Sequence, residues 1–157
     1  MAKYRYAYYV DLMEKGYFGN VMKEDIPAAI GCFTEDSRVT IYHGDNAIRY
    51  FYGDPGEGQL PLAAFYDHLL GNYDVHFENF SHYVDVDNER CASHFTVTLA
   101  PKSGSAYEET GTLTLNNCNF FKCIDGKIAD MIIYYANPTL GSIMGVETSS
   151  PTGFPRS

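Results

Sequence analysis

From Thr110 to Phe121 the chain alternates with a period of two. Thr110, Thr112, Thr114 and Asn116 share one face, and Leu113, Leu115, Asn117, Asn119 and Phe121 share the other. That period marks a strand with one buried face. Ile124-Asp125-Gly126-Lys127 follows, an Asp-Gly turn of the kind that closes a hairpin. A second strand, Ile128 to Ala136, returns from it, rich in β-branched and aromatic residues. The inward face of the first strand is apolar at its start and then carries two amides. A buried amide costs free energy unless it is hydrogen-bonded, so Asn117 and Asn119 either pair with backbone or buried water or face a ligand.

The same reading applies upstream. Residues 4 to 22 place Tyr6, Tyr9, Val10, Met13, Tyr17 and Val21 at three- and four-residue intervals, which predicts an amphipathic helix. Asp25 is placed to cap a shorter helix running through Ile30 and Phe33, with Pro27 in its first turn. Arg38 to His43 is a strand with Val39, Ile41 and His43 on one face and Arg38, Thr40 and Tyr42 on the other. Asn46 to Tyr52 is a second, short strand. Leu60 to Leu70 has helical spacing, stopped by Gly71-Asn72. Tyr73 to Asp85 and Glu89 to Ala100 are strands joined at Asp87-Asn88.

The order is helix, helix, strand pair, helix, then four long antiparallel strands. It predicts an α+β fold: a cone-shaped, curved antiparallel sheet with three helices enclosing one apolar cavity. Residues 1–137 form a single domain in this reading. Residues 138–157 form an irregular tail whose Leu140, Ile143, Met144, Val146 and Phe154 are expected to pack over the cavity mouth or a partner subunit. Three helices cannot cover both sheet faces. The face carrying Thr96, Thr98, Thr112 and Thr114 is left for solvent or a second copy, and a homodimer is expected.

Charge and composition narrow the function. The net charge is −9 and no run of Lys or Arg occurs, which argues against nucleic acid and anionic membrane surfaces as partners. No apolar segment has the length of a signal peptide core or a membrane span, so a cytoplasmic location is expected. Cys32, Cys91, Cys118 and Cys123 lack C-x-x-C spacing, and no Gly-rich phosphate loop precedes a helix. His76-x-Glu78-x3-His82 mixes ligand types, but on one regular strand its histidines stand roughly 20 Å apart. No metal and no cofactor are expected. Fourteen Tyr and ten Phe with no Trp can fill a core, and they also suit a pocket for a flat, ring-containing ligand.

Several stretches carry a resemblance: Tyr17 through Asp25-Ile26, Phe33-Thr34-Glu35-Asp36-Ser37-Arg38-Val39, Phe65 with His68, and Asp125-Gly126-Lys127-Ile128. Together, from about Tyr8 to Asn137, they resemble the nuclear-transport-factor-2-like (NTF2-like) superfamily. That group takes in ketosteroid isomerases, SnoaL-type polyketide cyclases and scytalone dehydratase. The resemblance implies the cone fold; this fold hosts many unrelated reactions. Against the isomerases, the oxyanion-hole tyrosine falls on Tyr17. Their general-base aspartate falls on Ile41 and their second acid on Leu115, so a steroid isomerase of that design is not expected. Against the dehydratase, one active-site histidine falls on His76 and the substrate-facing asparagine on Asn117. Its other histidine falls on Pro101, its water-binding tyrosines on Val21 and Ile41, and its helix aspartate on Met22.

The candidate chemistry follows. His43 shares a strand face with Val39 and Ile41, and the resemblance turns His76 inward. His94 lies with Thr96 and Thr98 on the outer face, His68 is expected partly exposed, and His82 has no assignable direction. An imidazole in an apolar cone can move protons, and a phenol or amide can stabilise a developing enolate. His43, His76, Tyr17 and Asn117 are therefore the expected catalytic set. Asn119, Tyr42, Phe51, Phe65, Phe95, Leu115 and Tyr135 are the expected substrate contacts. The reaction expected is that of a cofactor-independent lyase or isomerase, dehydratase-like, acting on a small aromatic or polyketide-like compound. Similar proteins also cyclise polyketides or cleave aromatic carbon–carbon bonds, as in formaldehyde removal from lignin-derived diaryl substrates. The residues leave these open, together with a non-catalytic ligand-binding module.

Overall fold

The computed structural model describes residues 2–44 and 46–135. The expected packing of residues 138–157, and Ala136 at the end of the last predicted strand, lie outside them. Helix α1 spans residues 6–22 and buries Tyr9, Met13, Tyr17, Phe18 and Val21. Its middle, Leu12–Phe18, is wound as a π-helix, with the Gly19 N–H donating to the Glu14 carbonyl five residues back. A Cβ at Gly19 would stand 2.9 Å from that carbonyl oxygen, so glycine admits the wide turn. The winding buries Tyr17 and Phe18 side by side, their rings 4.9 Å apart.

Helix α2, Ile26–Ile30, is capped as expected: the Asp25 carboxylate accepts from the Ala28 N–H at 3.1 Å. Phe33, assigned from sequence to this helix, instead opens strand β1, Phe33–His43, since the helix ends at Gly31. Strand β2 is only Arg49–Tyr52, and helix α3 is Leu62–Asn72. The long strands are β3 (Tyr73–Asp85), β4 (Arg90–Pro101), β5 (Leu113–Ile124) and β6 (Lys127–Tyr135).

These strands form one open sheet in the order β2-β1-β6-β5-β4-β3. All neighbours are antiparallel except β1 and β6, which run parallel. The sequence reading made the whole sheet antiparallel. Consecutive hairpins are visible in sequence, but the closing pair of first and last strands is not. The three helices lie on the concave face, and the architecture is the expected α+β cone.

A carboxylate fastens the closed end. Glu89 accepts from the Tyr9 hydroxyl at 2.7 Å and from the N–H groups of Asp125 and Gly126 at 2.9 Å each. One side chain thereby ties α1 to the Asp125-Gly126 turn. Both turn residues have positive φ, 50° and 77°, the requirement that makes Asp-Gly a hairpin signal. Among the described residues no helix is long and apolar enough to cross a membrane.

Candidate functional site

The cone encloses two connected chambers. The deep one, narrow at about 20 Å³, lies between α1 and strands β3 to β6, with Tyr17, Phe95, Asn117, Asn119 and Tyr135 in its wall. A wider vestibule of about 440 Å³ adjoins it and opens to solvent past His43, Arg49, His68 and Tyr107. Phe65, Leu69, Leu99 and Tyr135 line both, so the chambers are continuous.

The deep chamber is aromatic, with a few aimed polar groups. Tyr66 donates its hydroxyl proton to the Tyr17 oxygen at 2.9 Å. The Tyr17 proton is then the one available to a ligand. Burial pushes both phenols above their ordinary range, and for Tyr17 the bond from Tyr66 pulls only partly back. Tyr17 therefore remains a neutral donor near pH 7 rather than a base. Asn119 is 2% exposed. Its Nδ2 donates to Met131 Sδ at 3.6 Å, while its Oδ1 is buried with no hydrogen-bond partner. Ser37, Thr40 and Asp130 also each carry an unpartnered buried oxygen, but none of them lines either chamber. Among the described residues, Asn119 is thus the lining residue whose buried acceptor has no partner within the protein.

At the mouth, the His43 ring lies 5.2 Å from the Tyr135 ring. Burial pushes the Tyr135 phenol up to about 12, against the opposing pull of the Arg49 charge. His68 Nε2 is 3.4 Å from the Tyr107 hydroxyl, and Tyr107 stacks on Tyr73. Among the described residues no three His, Cys, Asp or Glu side chains converge as a metal-ligand group.

Most of the expected site residues line one of the two chambers. Tyr17, Asn117, Asn119, Phe65, Phe95 and Tyr135 line the deep chamber, and His43 and Leu115 line the vestibule. Phe51 is buried behind the wall, its ring 5.3 Å from Phe65. Two placements differ. His76 points outward, its side chain 62% exposed and 3.5 Å from Glu78. Its neighbours Val75 and Phe77 line the cavity instead, and alternation leaves no choice. Tyr42 also faces outward, stacked on Tyr134 at 5.0 Å. The β1 register is unbroken from Arg38 to His43, so His43 turns inward and Tyr42 cannot.

Three features escaped the sequence reading. Tyr66 supports Tyr17 from within the core, and Arg49 and His68 stand at the mouth. The third is a buried chain: His82 Nε2 lies 2.7 Å from Glu14 Oε1, and His82 Nδ1 lies 2.8 Å from Ser93 Oγ. Ser93 is fully buried and 3.2 Å from Met13 Sδ. A bulge at Asn79, φ 58°, turns His82 inward by shifting the β3 alternation by one. The sequence carries that shift: apolar positions move from odd numbers, Val75 and Phe77, to even ones, Phe80 and Val84.

No protein-family model and no curated protein sequence matches this chain. Solved structures do. A candidate polyketide cyclase from Pseudomonas putida KT2440 superposes with a TM-score of 0.60 at 22% identity, covering 78% of this chain and 87% of that one. A candidate isomerase from Bacillus subtilis gives 0.64 at 14% identity over 89% and 94%. The epoxide hydrolase/cyclase-like enzyme SalBIII, which acts in pyran ring formation in salinomycin, gives 0.59 at 17% over 81% and 89%. The deep aromatic chamber, the three helices on the concave face and these superpositions agree: the chain has the NTF2-like cone fold.

Proposed function

We propose that the protein is a cofactor-independent enzyme of the isomerase, cyclase or lyase type. It would move a proton on a small aromatic or polyketide-like carbonyl compound held in the cone, its carbonyl end in the deep chamber and its remainder in the vestibule. One observation carries this reading: two polar groups of the chamber wall, on Tyr17 and Asn119, are incompletely hydrogen-bonded within the protein. Tyr17 has a proton to give, and Asn119 Oδ1 lacks a donor. A ligand that accepts from Tyr17 and donates to Asn119 completes both. An enolised dicarbonyl or a hydroxyaryl ketone carries that pair of groups.

In this account Tyr17 stabilises oxygen charge as the carbonyl enolises, with Tyr66 holding its hydroxyl in place. Asn117 lines the same chamber. His43, in the vestibule wall beside Tyr135, is the proton acceptor, since among the described residues the deep wall contains no carboxylate or imidazole. The positions matching the steroid isomerase acids, Ile41 and Leu115, are buried and apolar. The dehydratase-like set is reduced to Asn117, because His76 is on the outside. The solved cyclase and isomerase relatives support the coarse reaction type through fold likeness.

An absorbance screen of aromatic enones, hydroxyaryl ketones and β-dicarbonyl compounds, with mass spectrometry of products, tests the proposal. Turnover of at least one class is expected, and it should be lost in Tyr17→Phe. Binding without any product would make the protein a carrier and overturn the enzyme reading.

We infer further that two copies pair through the outer sheet face. Phe120 and Tyr134 are 47% and 43% exposed there, and their rings meet edge to face with Tyr42 stacked behind. Light scattering at micromolar concentration should give about twice 17.6 kDa; a monomer mass would contradict the pairing.

A further inference from the structure

The vestibule reverses the charge of the molecule around it. The chain holds 20 Asp and Glu against 11 Lys and Arg, yet among the described residues the vestibule wall contains Arg49, His43 and His68 and no carboxylate. Arg49 sits two residues before Phe51 on β2. Phe51 is buried toward the cavity, so alternation sets Arg49 on that same face. Tyr50 between them faces the other way, over Arg38. The other strand arginines are held: Arg38 donates to Asp130 at 3.3 Å, and Arg90 donates to the Asn88 carbonyl at 2.7 Å. Arg49 has no such acceptor among the described residues. Its charge nevertheless reaches inward, since it acts on the Tyr135 phenol shared by both chambers.

A guanidinium is the side chain suited to gripping a carboxylate through two parallel hydrogen bonds. Left unpaired beside imidazole and phenol donors at the rim of an aromatic chamber, it is a receptor for an anionic group outside that chamber. We propose that the natural substrate bears a carboxylate, held at the mouth by Arg49 with His43 and His68 beside it, while its aromatic or polyketide-like carbonyl end enters the deep chamber. This inference rests on the functional reading above and adds the substrate class. It makes Arg49 the specificity-determining residue.

Calorimetric titration with trans-cinnamate and its neutral isostere cinnamamide tests it without any need for turnover. Wild-type protein is expected to bind the acid about tenfold more tightly than the amide, the scale of a charge-assisted contact. That preference should shrink in high salt. Arg49→Gln should erase the preference while leaving amide affinity within about twofold, and Arg49→Lys should restore part of it. Equal binding of acid and amide by wild-type protein overturns the carboxylate inference but leaves the aromatic chamber standing. A preference that persists in Arg49→Gln overturns the assignment to Arg49. Absence of binding by either compound removes both this inference and the small-aromatic reading beneath it. The wild-type comparison stands whether or not the variants fold.

Discussion

Two buried polar clusters lie side by side on the concave face, and they are built to opposite rules. Ser93 and Asn119 are direct cross-strand partners on β4 and β5, and both are almost fully buried. The Ser93 cluster is closed. Glu14 accepts from the His82 imidazole, and Ser93 and Met13 complete the chain. Two proton arrangements satisfy it: Ser93 donates to a neutral imidazole, or the imidazolium donates to Ser93 while Ser93 donates to Met13. Either way no polar atom is left over, and Ser93 lines neither chamber. The Tyr17–Asn119 pair is open: one proton and one acceptor have no partner within the protein. An unpaired buried acceptor costs about 1–3 kcal/mol, a strain reservoir that a ligand can relieve. Completeness of hydrogen bonding thus separates a structural buttress from a binding site one strand away. The serine–histidine–carboxylate set has the residue types of a hydrolase, but its hydroxyl is sealed in the core.

The contrast can be broken in order of expected effect. His43→Ala should lower kcat by roughly 10² to 10⁴, the scale of a lost acid–base group, with the melting temperature nearly unchanged because the ring borders the open vestibule. Single-turnover rates beside thermal melts decide this; an active His43→Ala variant removes His43 as the base. Tyr66→Phe should cost about two- to tenfold in rate, since it deletes one neutral hydrogen bond to Tyr17 and touches no substrate. A rate loss as large as that of Tyr17→Phe would show that Tyr66 itself reaches the substrate.

Asn119→Leu sharpens the comparison from the opposite side. Replacing an unsatisfied amide with an apolar group of similar size should raise stability by about 1 kcal/mol while lowering turnover. Denaturant melts read the first effect; a clear loss of stability would mean that Asn119 is already satisfied. The smallest effect is alkaline. Tyr135 ionises at its ordinary 10 when unfolded and at about 12 when folded, so the unfolded chain loses its proton first. Stability then falls as pH rises between those values. Tyr135→Phe should flatten that fall, as followed by denaturant midpoints at pH 9 through 12. An unchanged slope would show that other phenols dominate it.

Much of this architecture was readable in the residues. The alternation in β5, the Asp125-Gly126 turn and the helical spacing of Leu62, Phe65, Tyr66 and Leu69 each reflect local rules, and each element is present. The inward amides were also legible, because alternation from Leu113 carries straight through to Asn119. Three things were not. The parallel pairing of β1 with β6 is a long-range contact without a local mark. His76 was turned inward by the family resemblance against its own alternation with Val75 and Phe77. The bulge at Asn79 did leave a trace, the parity change in β3, but only a residue able to take positive φ shows where the shift falls. Tyr66 looked like any buried helix residue, and its role depends on the position of Tyr17, 49 residues away in sequence.

The central claim, that open polar ends bind and transform the ligand whereas the closed chain only supports the fold, is tested most directly by one paired measurement. Tyr17→Phe and His82→Ala are compared for kcat on a substrate found in the screen and for unfolding free energy. Tyr17→Phe should lose about 10² to 10³ in kcat and, because it strips the buried Tyr66 hydroxyl of its acceptor, about 1–3 kcal/mol of stability as well. His82→Ala should lose about 1–3 kcal/mol of stability, because Ser93 loses a buried partner, and should keep kcat within a few-fold. The opposite pattern, a stable but inactive His82→Ala beside an active Tyr17→Phe, would contradict the account and move the chemistry to the Glu14–His82–Ser93 chain.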